Sequence, residues 1–175
     1  QKFIQILPIN DTTMTHTWTD SYPYSSNSIF ALHPMYLRPS AIGTLDDKEK
    51  LAKYNELAAE LNSLPQVDYE RVNDIKLAYV KDLYEQLGEE TLASEEYLAF
   101  WEANEYWLKP YAAFCVLRDK KGTADFSKWG LYSSYDEKIV DKFCLENERE
   151  IKLCYFIQYH LDKQLKEVRN YAHSK

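Results

Sequence analysis

Phe3-Ile4-Gln5-Ile6-Leu7-Pro8-Ile9 is a nearly continuous apolar run, too short for a helix and ended by proline. The pattern is that of a strand buried on both faces in a parallel sheet, with parallel neighbours beside it and helices over its faces. Nothing later in the chain clearly supplies those neighbours, and Gln1 stands almost directly on the run. The expectation is therefore one strand of a larger assembly, truncated on both sides, whose edge is covered by helices or paired with another molecule.

Outward from the strand, Asn10 to Ser28 turns to Thr, Ser, Asp, Tyr and Trp, without periodicity and with a proline at position 23. Active-site loops gather at the carboxyl ends of strands in barrels and open α/β sheets. A structureless stretch of this length is functional or disordered, and its aromatic content favours function. Tyr and Trp pair an apolar ring with a polar handle, which suits them to covering sugar rings while bonding hydroxyls.

Beyond the short stretch Ile29 to Arg38 the pattern is helical. Thr44 and Asp47 have capping-box spacing, and Leu51, Tyr54, Leu57, Ala58 and Leu61 then follow one face up to Pro65. Val72, Ile75, Tyr79, Leu83 and Leu87 form a second stripe, with Gly88 placed to end it. A third helix opens near Ser94, carries Tyr97, Leu98, Trp101 and Trp107, and is kinked or restarted at Pro110. The clearest helix runs through Cys154, Ile157, Leu161, Leu165, Val168 and Ala172. Gly43, Gly88, Gly122 and Gly130 are all expected between elements. Phe114, Trp107, Ile157 and Leu161 are expected in the core.

Across 175 residues, 45% are hydrophobic and 28% charged, which fits one folded domain. A net charge of -7 disfavours nucleic acid and anionic membrane as partners. No run is long enough for a membrane span and no leader opens the chain, so a cytoplasmic location is expected. Cys115, Cys144 and Cys154 form no C-x-x-C pair and read as buried free thiols. His16, His33, His160 and His173 have no metal spacing, there is no phosphate-binding loop, and no cofactor is implied.

Most carboxylates lie on helix faces among lysines and read as solvated surface. Asp11 and Asp20 differ, because both fall in the polar loop. Asp20 either bonds a ligand or pins the loop backbone, and local sequence favours pinning. No pair of carboxylates suited to glycoside chemistry is recognisable, so no catalytic residue is assigned.

Leu7-Pro8-Ile9-Asn10-Asp11-Thr12-Thr13, Asp20-Ser21-Tyr22-Pro23-Tyr24-Ser25 and Phe30-Ala31-Leu32-His33-Pro34-Met35-Tyr36-Leu37 closely resemble the amylomaltase (disproportionating 4-alpha-glucanotransferase) family, in the variant typified by the plant cytosolic enzyme. Val67-Asp68-Tyr69-Glu70, Trp107 to Cys115 and Gln158-Tyr159-His160-Leu161 continue the resemblance in order. It implies a mainly α internal fragment of a (β/α)8 barrel. Residues 1–43 would be a barrel strand with its substrate-site loop and residues 44–175 a helical insertion subdomain, folding as one unit. It further implies transfer of α-1,4-glucan segments between maltodextrins by a retaining double displacement. The family's catalytic carboxylates lie on later strands and are absent here, so the fragment itself is expected to be inactive. Ser21 and Tyr24 match the family's sugar-lining motif and Asp20 orders it; the tyrosine that ordinary bacterial members carry just before this motif is absent here, and Trp18 lies nearby instead. Maltooligosaccharide is thus the implied partner of the parent protein. Self-association through the exposed strand is the other interaction to consider, and a maltodextrin-binding module or a helical interaction domain are the alternative functions.

Overall fold

The computed structural model describes residues 3–175. Five α-helices make the body: α1 Lys48–Asn62, α2 Tyr69–Ala93, α3 Glu95–Lys121, α4 Glu137–Glu146 and α5 Glu148–His173. Five short 3-10 turns punctuate the loops. At 25, 27 and 26 residues, α2, α3 and α5 are each about 40 Å long and form the frame on which everything else packs.

The expected barrel strand is not there. Residues 3–9 carry no regular secondary structure, and there is no sheet among the described residues. Phe3, Ile4, Ile6 and Leu7 are 60–81% exposed, so the expected covering by helices is absent too. Among the described residues the only β-pairing is a single antiparallel bridge between Asn10 and Leu32. Around it the Asp11 amide donates to the Ala31 carbonyl at 2.9 Å and the His33 amide to the Ile9 carbonyl at 3.0 Å. A strand exists by its ladder, and one bridge at the end of an apolar run does not make one. The chain is therefore a helical domain and not a barrel fragment.

The first four helices are each capped at their start by a side-chain oxygen, whereas Asn147 ahead of α5 makes no such bond. Asp47 accepts the amides of Glu49 and Lys50, so the cap of α1 is Asp47 itself and not Thr44. Asp68 accepts Arg71 N–H at α2, and Asp136 accepts Ile139 N–H at α4. Ser94 does two jobs at the α2–α3 corner: its hydroxyl donates to the Thr91 carbonyl at 2.7 Å and accepts the Tyr97 amide at 3.2 Å. Ser94→Ala removes both bonds and is expected to lower stability by about 1–2 kcal/mol, read as a shift of the urea midpoint. A change below a few tenths would show that the corner is set by packing alone.

Two residues expected to break helices do not. Pro110 sits inside α3, which runs unbroken to Gly122, where a left-handed φ of 65° ends it. Gly88 lies inside α2 and is buried. A Cβ there would stand 2.5 Å from the Tyr84 ring, which lies back over the glycine and meets Phe156 edge-on at 5.4 Å. The absent side chain makes room for an aromatic packed across the helix surface.

The core has two parts. The larger joins α3, α4 and α5 through Phe100, Leu108, Val116, Phe143, Ile151 and Tyr155. The smaller joins α2 and α5 to the segment before α1 through Leu37, Val80, Phe156, Ile157 and Leu161. Ile157 and Leu161 are core as expected, while Phe114 and Trp107 pack half-buried on its margin. Cys115 and Cys144 are buried, Cys154 is half-buried, and all three are free. Burial pushes the Cys115 thiol up to about 12, which leaves it unreactive.

Candidate functional site

The polar loop is built around two buried carboxylates. Asp11, 1% exposed, accepts the Thr13 amide (3.0 Å) and hydroxyl (2.6 Å) on one oxygen, and the Asn27 amide group (3.0 Å) and Tyr111 hydroxyl (2.8 Å) on the other. Its backbone binds the far side of the loop as well, since Asn27 N–H donates to the Asp11 carbonyl at 2.8 Å. Asp20 closes the inner turn. Its carboxylate accepts the Thr15 and His16 amides, at 2.9 and 2.7 Å, and the Thr15 hydroxyl at 3.0 Å. These bonds hold His16 at φ 61°, a left-handed conformation that is costly without such fixing. The Thr12 hydroxyl donates to the Asp20 carbonyl and joins the two centres.

The helices grip the loop from beneath. Arg118, buried in the last turn of α3, donates to the Thr13 carbonyl at 2.6 Å and to Asp119 at 2.7 Å. Asp119 also meets His16 at 2.8 Å. Burial works against ionisation of Asp119, but the bonds from His16 and Arg118 outweigh it and hold its carboxyl below the usual range. A carboxylate so compensated is a poor proton donor. Gln158 of α5 binds both the amide and the carbonyl of Leu32, at 2.9 and 2.8 Å. Glu70 accepts the Trp18 amide at 3.0 Å, and His33 meets the Tyr69 hydroxyl at 2.7 Å. Between loop and helices lies a cavity of about 140 Å³, bordered by Asp11, Asp20, His33 and Arg118 on one side and by Leu77, Leu153 and Ile157 on the other.

With its polar atoms turned inward, the loop presents rings outward. Trp18 is 69% exposed, Tyr24 63%, and Tyr22 leans on Tyr24 with ring centroids 5.6 Å apart. Ser21 is exposed on the same turn. Trp18, Ser21 and Tyr24 are thus all exposed, Trp18 and Ser21 on one 3-10 turn, while Asp20 of that turn is buried and serves as framework. Tyr111, Arg118, Asn27 and Gln158 hold the loop in place, and sequence reading assigned them no such role. Their partners are distant in sequence, and the only advance sign was Asp11 itself, an acid in an apolar-flanked loop. Among the described residues, no group of His, Cys, Asp and Glu side chains is placed to hold a metal ion, and no helix is long and apolar enough to cross a membrane.

Comparison with known proteins identifies the family. The family model for 4-alpha-glucanotransferase (Glyco_hydro_77) matches residues 1–175, and the chain belongs to that family. It is 41% identical over 175 residues to 4-alpha-glucanotransferase DPE2 of Oryza sativa subsp. japonica, covering 98% of this chain and 18% of that protein. The 4-alpha-glucanotransferases of Chlamydia muridarum and Aquifex aeolicus are 30% and 27% identical, with 99% and 98% of this chain and 32% and 33% of theirs covered. The chain thus spans between about a fifth and a third of the length of the curated relatives it matches. No solved structure matches it.

Proposed function

We propose that this chain is the part of a 4-alpha-glucanotransferase that supplies one wall of the glucan-binding cleft, and that the bond-breaking residues belong to the rest of the protein. The whole enzyme transfers α-1,4-glucan segments between maltodextrins by a retaining double displacement, a carboxylate holding the glycosyl unit until a second sugar accepts it. One observation carries the assignment: the loop spends its carboxylates on its own backbone and leaves Trp18, Tyr22, Tyr24 and Ser21 free at the surface. A face ordered before the ligand arrives loses little entropy on binding, and Tyr24 offers a ring for a sugar to lie on while Ser21 offers a hydroxyl. Retaining chemistry needs two facing carboxyl groups, one of them an acid. The carboxylates of Asp11, Asp20 and Asp119 are already bonded to the loop and to α3.

Two measurements test this. The isolated chain incubated with maltotriose is expected to give no glucose and no longer oligosaccharides, and disproportionation by it would place the chemistry here. In the full-length protein, Tyr24→Ala is expected to raise KM for maltotriose about 5- to 30-fold, equivalent to about 1–2 kcal/mol of lost stacking. An unchanged KM would remove Tyr24 from the sugar surface.

A further inference from the structure

α1 carries an apolar stripe yet buries none of its residues completely. It stands off α2 and leaves a groove of about 350 Å³ between Tyr54, Asn55 and Asn62 of α1 and Lys76 and Tyr79 of α2, with Ser40 at its side. The rings of Tyr54 and Tyr79 meet edge-on at 4.8 Å, and Leu61, Val72 and Ile75 add aliphatic surface. No Asp or Glu lines this groove, although the chain has 28 of them and a net charge of -7.

Lys76 supplies the charge in the groove. It is half-buried and donates one hydrogen to the Met35 carbonyl, and among the described residues no carboxylate pairs with it. Two carboxylates of the same helices are already taken: Asp82 accepts the Tyr54 hydroxyl at 2.9 Å and pairs with Lys50 at 2.8 Å, and Glu60 pairs with Arg71 at 2.7 Å. Burial holds the Lys76 ammonium below its ordinary pKa, with no neighbouring anion to raise it. A half-buried cation without a counter-ion is costly, and an anion bound beside it relieves the cost. The other polar groups of the groove can also donate. The Ser40 hydroxyl accepts from Arg38 at 3.2 Å and keeps its own hydrogen, and the exposed amide groups of Asn55 and Asn62 are free among the described residues.

We infer that this groove binds a sugar phosphate, with the phosphate on Lys76 and Ser40 and the sugar hydroxyls on Asn55 and Asn62. Lysine binds phosphate as a point charge and needs no paired fork to do so. The volume argues for more than a bare anion, since about 300 Å³ already suits a small organic ligand. Tyrosine rings and aliphatic side chains beside amide groups match a ring with apolar C–H faces and a polar rim. The inference does not depend on the reading of the loop as a glucan surface, because neither Trp18, Ser21 nor Tyr24 lines this groove.

Calorimetric titration of the full-length protein with glucose 6-phosphate, inorganic phosphate and glucose is the test. Glucose 6-phosphate is expected to bind about tenfold or more tightly than either of the others, because only it engages both the cation and the amides. Lys76→Gln keeps a polar side chain and removes the charge, and is expected to weaken that binding about tenfold or more. Asn55→Asp, at an exposed position of α1, brings a negative charge to the groove without disturbing the core and is expected to weaken it to a similar degree. It carries the test if Lys76→Gln does not fold. Absence of binding, or binding that neither variant changes, overturns the site. Inorganic phosphate or glucose held in this groove as tightly as glucose 6-phosphate, judged by its loss in the two variants, overturns the sugar phosphate as occupant.

Discussion

Asp11→Ala is expected to destabilise the protein by about 3–5 kcal/mol and to release the loop from residue 12 to residue 30. The magnitude follows from what the carboxylate holds. It accepts four hydrogen bonds in a nearly dry site, from Thr13 twice, Asn27 and Tyr111. Removing it leaves the buried Tyr111 hydroxyl without its carboxylate acceptor, at a cost of about 1–3 kcal/mol, and leaves the half-buried Asn27 amide group only the Thr13 carbonyl. The Arg118 guanidinium, buried close by, loses the favourable field of Asp11 and keeps only Asp119 and the Thr13 carbonyl. The variant also frees Thr13 and Asn27, which tie the two limbs of the loop together. Urea unfolding measures the stability loss, and amide exchange across residues 12–30 measures the release. A loss below about 1 kcal/mol with the loop still protected would mean that Arg118 and Asp20 suffice to hold it. Tyr111→Phe tests the same centre from the other side: its effect combined with Asp11→Ala is expected to be less than additive, since both remove one bond.

The helical body was legible because its signals are local. The three- and four-residue spacing from Cys154 to Ala172 marks a helix whatever it packs on, and α5 runs through it. Ser94 and Gly122 likewise act on their own neighbours and sit at the ends of α3. The readings that failed depended on residues elsewhere. Phe3 to Ile9 has the composition of a buried strand, but a strand is a relation between segments, and only Asn10 and Leu32 pair here. Gly88 looked like a terminator because nothing nearby says that the Tyr84 ring folds over it toward Phe156. The candidate site divides the same way. The aromatics of the loop could be picked out by composition, whereas the grip on it joins Asp11 to Tyr111, Thr13 to Arg118 and Leu32 to Gln158. Links between residues a hundred or more positions apart leave no periodic trace.

Acid is expected to weaken the fold well before the carboxylates titrate, and His160 is the main reason. Its ring is wedged between Phe156 and Tyr159, with centroids at 4.4 and 5.1 Å, and its Nε2 is buried without a partner. Burial, with a smaller push from Lys163, lowers its pKa from the ordinary 6.5 to about 4. The folded protein then resists a proton that the unfolded chain takes up readily. The stability that neutral His160 confers is complete above pH 6.5, falls as pH drops from 6.5 towards 4, and is fully lost below 4. About 3 kcal/mol is at stake over the whole window and about 2 kcal/mol by pH 5. His33 adds in the same direction, because its pKa is also lowered by burial and a proton on Nδ1 would oppose the Met35 amide. Urea midpoints of the wild type at pH 7.5 and pH 5 measure the loss. His160→Leu, which fills the slot without titrating, is expected to flatten most of the slope while staying within about 1 kcal/mol of wild type at pH 7.5. Equal slopes in the two proteins would move the acid sensitivity from His160 to the loop, where His33 and its bond to Tyr69 are the groups that would have to carry it.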